Sequence, residues 1–441
     1  MKELVQRING NTGYAKFIEW SRLIAITGSA QVIVQSIGFF SGILVIRLLS
    51  PHEYGLYTLV NMMIGTMTIL ADGGISTGVM GQGGKVWENP EKLGAVLASG
   101  LILRRKFAFG SLMVASPILF LMLRHHGASL LMSSLLLISL LPAFLTTLSG
   151  TLLEIGPKLR QDISPLQKIQ VGVNMGRLAL LTLTLFVFPW AFVAILAAGL
   201  PQILANMRLR KISSAYIDWD QKPDPVVQKE VLAIVKRILP TAIYYCVSGQ
   251  ITIWLISIFG STVAVAQIGA LGRLAMGLTL FNILLATLII PRFARMPAIK
   301  SLLIKRYIYL LTGILGLSIC IITATWIFHS EILWILGEPY KGLRSELVLN
   351  IIGSCLALIA AISYSLYTSR GWVIKPVISI PVNIAAIIIA IPLLDVSTLQ
   401  GILFLNIVVA GVQVVMNMIF IFYKMAKVQE NSLFTDSNLN V

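Results

Sequence analysis

The chain has 441 residues, 57% of them hydrophobic and only 12% charged, with a formal net charge of +16 and a mean hydropathy of +0.87. A soluble domain carries about twice that charged share, so the composition excludes a globular enzyme with a single anchor and indicates a polytopic, all-α integral membrane protein. The positive charge is not a nucleic-acid footprint, because the basic residues fall in short loops beside apolar runs.

Apolar runs of about 20 residues mark the membrane spans. The first covers 23–46, after Lys2, Arg7, Lys16 and Arg22. No cleavable leader is expected, since the residues before Arg22 are polar and the following run is long enough to span. A turn signal, Ser50-Pro51-His52-Glu53, opens the second span at 54–76, which closes on Asp72-Gly73-Gly74. Pro51 suits the first turn of a helix, where its missing N–H is no loss. The basic loop that follows holds Lys85, Lys92 and Arg104-Arg105-Lys106. Within it, 93–103 is too short to span and is expected to lie along the interface before the third span, 107–123. The fourth span is 129–153. The fifth, 169–188, and sixth, 190–207, meet at Pro189-Trp190.

The most polar stretch, Arg208 to Arg237, reads as a linker between two halves. Spans seven to twelve are expected at 238–259, 263–290, 307–328, 347–368, 374–394 and 399–423, followed by a polar, disordered tail at 429–441. The expected architecture is therefore twelve transmembrane helices in two six-helix lobes around a central cationic cavity, with lobes at 1–207 and 238–428 and a cytoplasmic linker at 208–237. The charges support this layout. Of the 34 Lys and Arg, 28 fall on one side, 4 (Arg47, Arg124, Lys341, Arg344) on the other, and Arg177 and Arg273 lie within spans. The positive-inside rule then places both termini in the cytoplasm.

The two intramembrane arginines are the leading candidates for function. A guanidinium facing lipid costs roughly 2.5–3.5 kcal/mol on insertion scales, so each should face the bundle interior, where its fork suits a phosphate. The alternative is a structural ion pair or snorkelling to the interface. Asp72 either binds a coupling cation, pairs with an arginine, or caps the glycine-rich turn. Polar side chains recur within spans, among them Asn61 and Asn174; they either join helices or meet substrate hydroxyls. The glycines of span eight, Gly269, Gly272 and Gly277, permit close helix approach or bending. Cys246, Cys320 and Cys355 have no metal spacing and read as small packing residues. The four histidines, His52, His125, His126 and His329, fall in the loops opposite the basic side.

The run Arg47-Leu48-Leu49-Ser50-Pro51, then Glu53-Tyr54-Gly55-Leu56-Tyr57, followed by Ala71-Asp72 and Gly74-Ile75-Ser76-Thr77-Gly78, resembles the first two helices of bacterial polysaccharide flippases. These are the O-antigen and exopolysaccharide exporters of the multidrug/oligosaccharidyl-lipid/polysaccharide superfamily. The wording is close over the first hundred residues or so. Beyond them only the hydropathy layout matches. The resemblance implies a non-enzymatic transporter of the bacterial cytoplasmic (inner) membrane. It would carry undecaprenyl-pyrophosphate-linked oligosaccharide by alternating access for lipopolysaccharide or exopolysaccharide biosynthesis. It places a basic residue of the cavity near Arg47, which otherwise reads as an interfacial anchor; with the intramembrane residues above, substrate contacts are expected at Arg273, Arg177, Arg47, Asn61 and Asn174. It implies no cofactor and no ATP hydrolysis, consistent with the lack of a GxxxxGK[ST] motif. Transport would be driven by H+ or Na+ coupling, the membrane potential or product removal. Partners would be the lipid-linked substrate, membrane lipids and polysaccharide-assembly proteins. Alternatives are a lipid II flippase, a multidrug/cation antiporter of the same superfamily, and a membrane polysaccharide polymerase.

Overall fold

The computed structural model describes residues 12–427, apart from 295, 298, 371 and 373. The described residues form helices, turns and bends and contain no strand. The expected tail at 429–441 lies outside them. Two compact units emerge, residues 1–251 and 252–441.

The first unit contains α1 (Thr12–Leu48), α2 (Pro51–Asp72), a short α3 (Ile75–Val86), α4 (Pro90–His125), α5 (Leu130–Leu153), the single turn and a half of α6 (Ile155–Leu159), α7 (Ile163–Leu185) and α8 (Ala191–Ser213). It also takes most of α9 (Pro225–Phe259). Here α5 lies along α8, α1 along α7, and α2 along α4. The second unit contains α10 (Thr262–Ala275), α11 (Gly277–Leu288), α12 (Ile290–Ala294), α13 (Lys300–Ile327), α14 (His329–Leu336), α15 (Arg344–Thr368), α16 (Pro376–Ala390) and α17 (Leu399–Ala426). Its main contact is α15 along α17.

Ten helical stretches among the described residues are long and apolar enough to cross a membrane. The two other expected spans fall in α7, which carries Lys168 and Arg177, and in α9, whose clearly apolar part is Ser248–Phe259. Large apolar side chains such as Phe109, Leu131, Leu183, Met207 and Ile319 point outward, as lipid-facing residues do in a bilayer.

Local chemistry sets the helix ends. Ser50 caps α2, its Oγ accepting from the Glu53 N–H at 3.3 Å, with Pro51 in the first turn. The Glu53 carboxylate accepts the N–H of Ala191 at 2.7 Å. It thus satisfies an otherwise orphaned donor at the start of α8 and complements that helix's positive end. At the far end of α2, Gly73 adopts φ 48° and returns its N–H to Ile69, the left-handed cap that glycine favours.

Three expectations change. First, 93–103 is no interfacial helix: Asn89 caps and Pro90 opens one continuous α4 of 36 residues. At 1.5 Å per residue it is about 54 Å long, well beyond a hydrocarbon core of about 30 Å. The charges at Arg104, Arg105 and Lys106 do not end a helix, because all three side chains tolerate the conformation. Second, most of 208–237 is helical, since α8 runs to Ser213 and α9 starts at Pro225; only 214–224 joins them as turns and loop. Third, span eight is broken at Met276-Gly277 into α10 and α11, at one of the glycines that permit bending.

The histidines and cysteines also differ from a simple loop-and-core division. His126 is buried, its ring edge-on to His125 with centroids 5.3 Å apart. Cys246 and Cys355 are buried, whereas Cys320 is exposed on α13.

Candidate functional site

A strongly organised cluster of charge in the first unit is centred on Arg104. This residue sits in the register of the buried α4 stripe, which runs through Leu93, Leu97, Gly100, Ala108, Ser111, Ala115 and Leu119. Its neighbours Arg105 and Lys106 face outward. Only 3% of the Arg104 surface is accessible. One guanidinium nitrogen, Nη1, donates to the Leu148 carbonyl at 2.5 Å and to Thr151 Oγ1 at 2.6 Å. The other, Nη2, donates to Asp72 Oδ1 and to Ser76 Oγ, the latter at 2.5 Å. Ser76 in turn donates its hydroxyl to Asp72 at 2.6 Å, and its N–H to the same carboxylate oxygen at 3.2 Å.

The cluster therefore ties α2, α3, α4 and α5 together through one planar cation. A buried charge is tolerated only when paired and hydrogen-bonded, and Arg104 meets that condition on both nitrogens of its fork. The backbone shape around it explains why the sequence can build it. Gly73 and Gly74 both have positive φ, 48° and 98°. They turn the chain sharply after Asp72, so that Ser76 returns to the carboxylate. A Cβ on Gly74 would stand 2.9 Å from Ile238 Cβ, so the turn also fits tightly beneath α9.

The residues singled out in the sequence lie on α1, α2, α7 and α10. Asp72 is the partner of Arg104, the pairing that the sequence left open beside cation coupling. Asn61 donates to the Tyr57 carbonyl and Asn174 to the Gln170 carbonyl, each at 2.8 Å and one turn back on its own helix. Arg47 is exposed in the last turn of α1. Arg177 is half-buried on α7, and its Nε is enclosed without a hydrogen-bond partner among the described residues. The helix begins at Ile163, so Arg177 lies about 21 Å from that end and about 12 Å from Leu185. In the second unit, Arg273 lies in the last turn of α10, half-buried, with Nη1 3.6 Å from Met276 Sδ at the helix break.

The sequence reading missed Arg104, Ser76 and Thr151. Arg104 was counted among the basic loop charges. The signal that separates it from Arg105 and Lys106 is its place in the stripe of small and apolar residues. A second clamp of this kind was also counted as a loop charge: Arg370 donates to the Phe293 and Met296 carbonyls at 3.1 and 3.0 Å, closing the end of α12.

No protein-family model matches the chain, and no curated protein matches it. Solved structures do. An inward-facing multidrug-resistance MATE family transporter of the MOP superfamily aligns with a TM-score of 0.69 at 15% identity, covering 90% of this chain and 96% of its own. An outward-facing transporter of that description gives 0.57 at 14% identity, over 92% and 96%. A MOP superfamily transporter from Pyrococcus furiosus, whose reversed binding-pocket polarity suggests a different function, gives 0.56 at 13%, again over 92% and 96%. The multi-pass, all-helical architecture of this chain is therefore the fold of the MATE transporters of the MOP superfamily.

Proposed function

We propose that the chain is a membrane transporter that flips a phosphate-bearing, polyprenyl-linked oligosaccharide across the bacterial inner membrane. The observation that carries this reading is the state of the charges within the spans. The Asp72 Oδ1 is engaged by Arg104. By contrast, Arg177 lies within α7 with no ion-pair partner among the described residues, and its Nε is enclosed without a hydrogen bond. An intramembrane arginine marks a substrate or ion path by default, and its planar fork donates two parallel hydrogen bonds to phosphate oxygens. Arg273, at the break between α10 and α11, supplies a second cation in the other unit.

The likeness to the first two helices of polysaccharide flippases supports the oligosaccharide class. The Pyrococcus furiosus relative in fold supports the idea that this architecture does not fix the charge of its cargo. A multidrug reading rests on fold likeness to MATE transporters. It calls for a carboxylate available to a cation, and the Asp72 oxygen that meets Arg104 is already engaged. Coupling to H+ or Na+ and association with polysaccharide-assembly proteins remain parts of the proposal.

The test is reconstitution into proteoliposomes with a fluorescent polyprenyl-pyrophosphate oligosaccharide and, in parallel, a cationic dye. Flipping is read by exposure to a membrane-impermeant quencher. Flipping of the glycolipid that is lost in Arg177→Ala supports the reading. Dye transport with no glycolipid flipping overturns it.

A further inference from the structure

Beside the charge cluster, and lined in part by Arg104, the first unit carries a groove with the chemical gradient of a phospholipid. A cavity of about 530 Å³ between α4, α5 and α8 is bordered by Arg105, Arg210 and Trp219. A second, of about 290 Å³ between α4 and α5, shares Leu101, Arg105, Leu145 and Ser149 with the first and continues to Ala108, Phe109 and Leu112. Together they make one furrow, cationic at one end and apolar at the other.

Helix length sets its depth. From His125 back to Arg105, from Ala191 to Arg210, and from Leu130 to Ser149, each helix rises about 30 Å, the thickness of a hydrocarbon core. The cationic end therefore stands at the headgroup level on the side of the basic loops. Phe109 and Leu112 lie about 6–10 Å deeper, among acyl chains. The furrow opens to lipid rather than water, since Phe109 and Met207 beside it are each 65% exposed and large.

The donors at the cationic end are poorly occupied. Arg105 is exposed and has no ion-pair partner among the described residues. The Arg210 guanidinium lies over the Trp219 ring, 5.6 Å from its centroid, and the Trp219 indole N–H is buried with no hydrogen-bond partner among the described residues. Trp219 is held in place from the α4 side. Asp218 donates its N–H to the Pro90 carbonyl at 3.2 Å, and Gly94 leaves room for the Asp218 backbone, whose oxygen would stand 1.9 Å from a Cβ there.

We infer that this furrow is a binding site for the phosphodiester headgroup of an anionic glycerophospholipid. Arg105 and Arg210 receive the phosphate, the Trp219 ring backs the Arg210 guanidinium, and one acyl chain lies along Ala108, Phe109 and Leu112. Basic pockets between membrane helices on the positively charged side hold anionic headgroups by the same physics. The inference is independent of what the protein transports.

The experiment uses the full-length protein, delipidated in mild detergent, titrated with phosphatidylglycerol or phosphatidylcholine and read by native mass spectrometry and Trp fluorescence. Phosphatidylglycerol should bind preferentially. An Arg105→Ala/Arg210→Ala variant should lose affinity for it by roughly thirtyfold, from about 1 kcal/mol per basic side chain near the surface. Ser149→Trp, which fills the furrow without changing charge, should abolish the preference, so the test does not depend on recovering the double variant. Lys300→Ala/Lys305→Ala, at a basic surface of the other unit, should leave it intact. Equal binding of the two lipids, an unaffected double variant, an equal loss in the Lys variant, or displacement of phosphatidylglycerol by a polyprenyl phosphate at lower concentration would each overturn the assignment.

Discussion

Arg104 and Asp72 form an ion pair within the first unit, at the point where α2 ends and α4 passes α5. The pair is unequal: Arg104 is 3% exposed at its side chain and Asp72 30%. The two partners should therefore respond differently to removal. Deleting the carboxylate leaves a deeply buried guanidinium short of its counter-charge, which costs about 3–5 kcal/mol. Deleting the arginine leaves a carboxylate that still reaches solvent. Asp72→Ala should thus lower the melting temperature in detergent more than Arg104→Met, and the double variant should recover part of the loss. A double-mutant cycle by thermal unfolding measures the coupling.

The same pair bears on energy coupling. Should Asp72 serve chiefly as the Arg104 counter-ion, Asp72→Asn will impair expression and folding, and the protein that remains will keep its ion dependence. Transport measured in proteoliposomes with and without a pH or sodium gradient reads this directly. Loss of the gradient response in a well-folded Asp72→Asn protein would assign the carboxylate to coupling instead.

On the proposed function, polysaccharide export in cells should depend on both intramembrane arginines. Arg273→Ala is expected to abolish polysaccharide export at unchanged protein level, with Arg273→Lys restoring part of it. Arg177→Ala should lower export at least tenfold, roughly the 1.5–3 kcal/mol of a charge-assisted hydrogen bond. Surface polysaccharide per unit of membrane protein is the readout.

The connection between α8 and α9 should respond to alkali. Burial, with a further push from Asp162 and an opposing pull from Arg160, raises the Tyr216 phenol to about 12. The raised value favours the neutral phenol in the folded state. This contribution is fully present below the ordinary phenol value of 10.0 and is lost as pH climbs toward 12. An ultraviolet titration should show one tyrosine ionising late, and Tyr216→Phe should remove that step while stability near pH 11 improves relative to the parent.

Gly94→Ala should unseat the same connection. The added methyl would overlap the Asp218 carbonyl oxygen, and overpacking of this kind costs about 1–3 kcal/mol. A shift in Trp219 emission at unchanged helix content, seen by fluorescence and circular dichroism together, checks it.

Much of the architecture was legible because bilayer thickness, apolar run length and loop charge all constrain the same features. The spans at α2, α5, α13, α15 and α17 fall close to their apolar runs. What escaped was periodicity inside a charged stretch. Arg104, Arg105 and Lys106 look alike as loop charges, yet a helix turns by about 100° per residue, so only Arg104 faces inward. The start of α9 at Pro225 escaped for the opposite reason. Its first turns are polar outside and buried through Val231 and Val235, a pattern that hydropathy averaging over a span does not register. The roles of Arg177 and Arg273 depend on what occupies the space beside them, which sequence periodicity alone does not encode.

One small core in the first unit has a consequence for synthesis. It gathers Ile75 and Val79, Leu93 and Leu97, Leu152 and Ile155, Ile217, and finally Val231 and Val235. These come from α3, α4, the α5–α6 corner, the connection after α8 and the opening turns of α9. A ribosome that has released the chain only as far as Ser213 has delivered every span before α9, but none of the side chains that close this core. The half-protein should therefore wait, inserted yet unlocked, until α9 emerges, and nascent chains halted just before and just after Val235 should differ sharply in their resistance to protease.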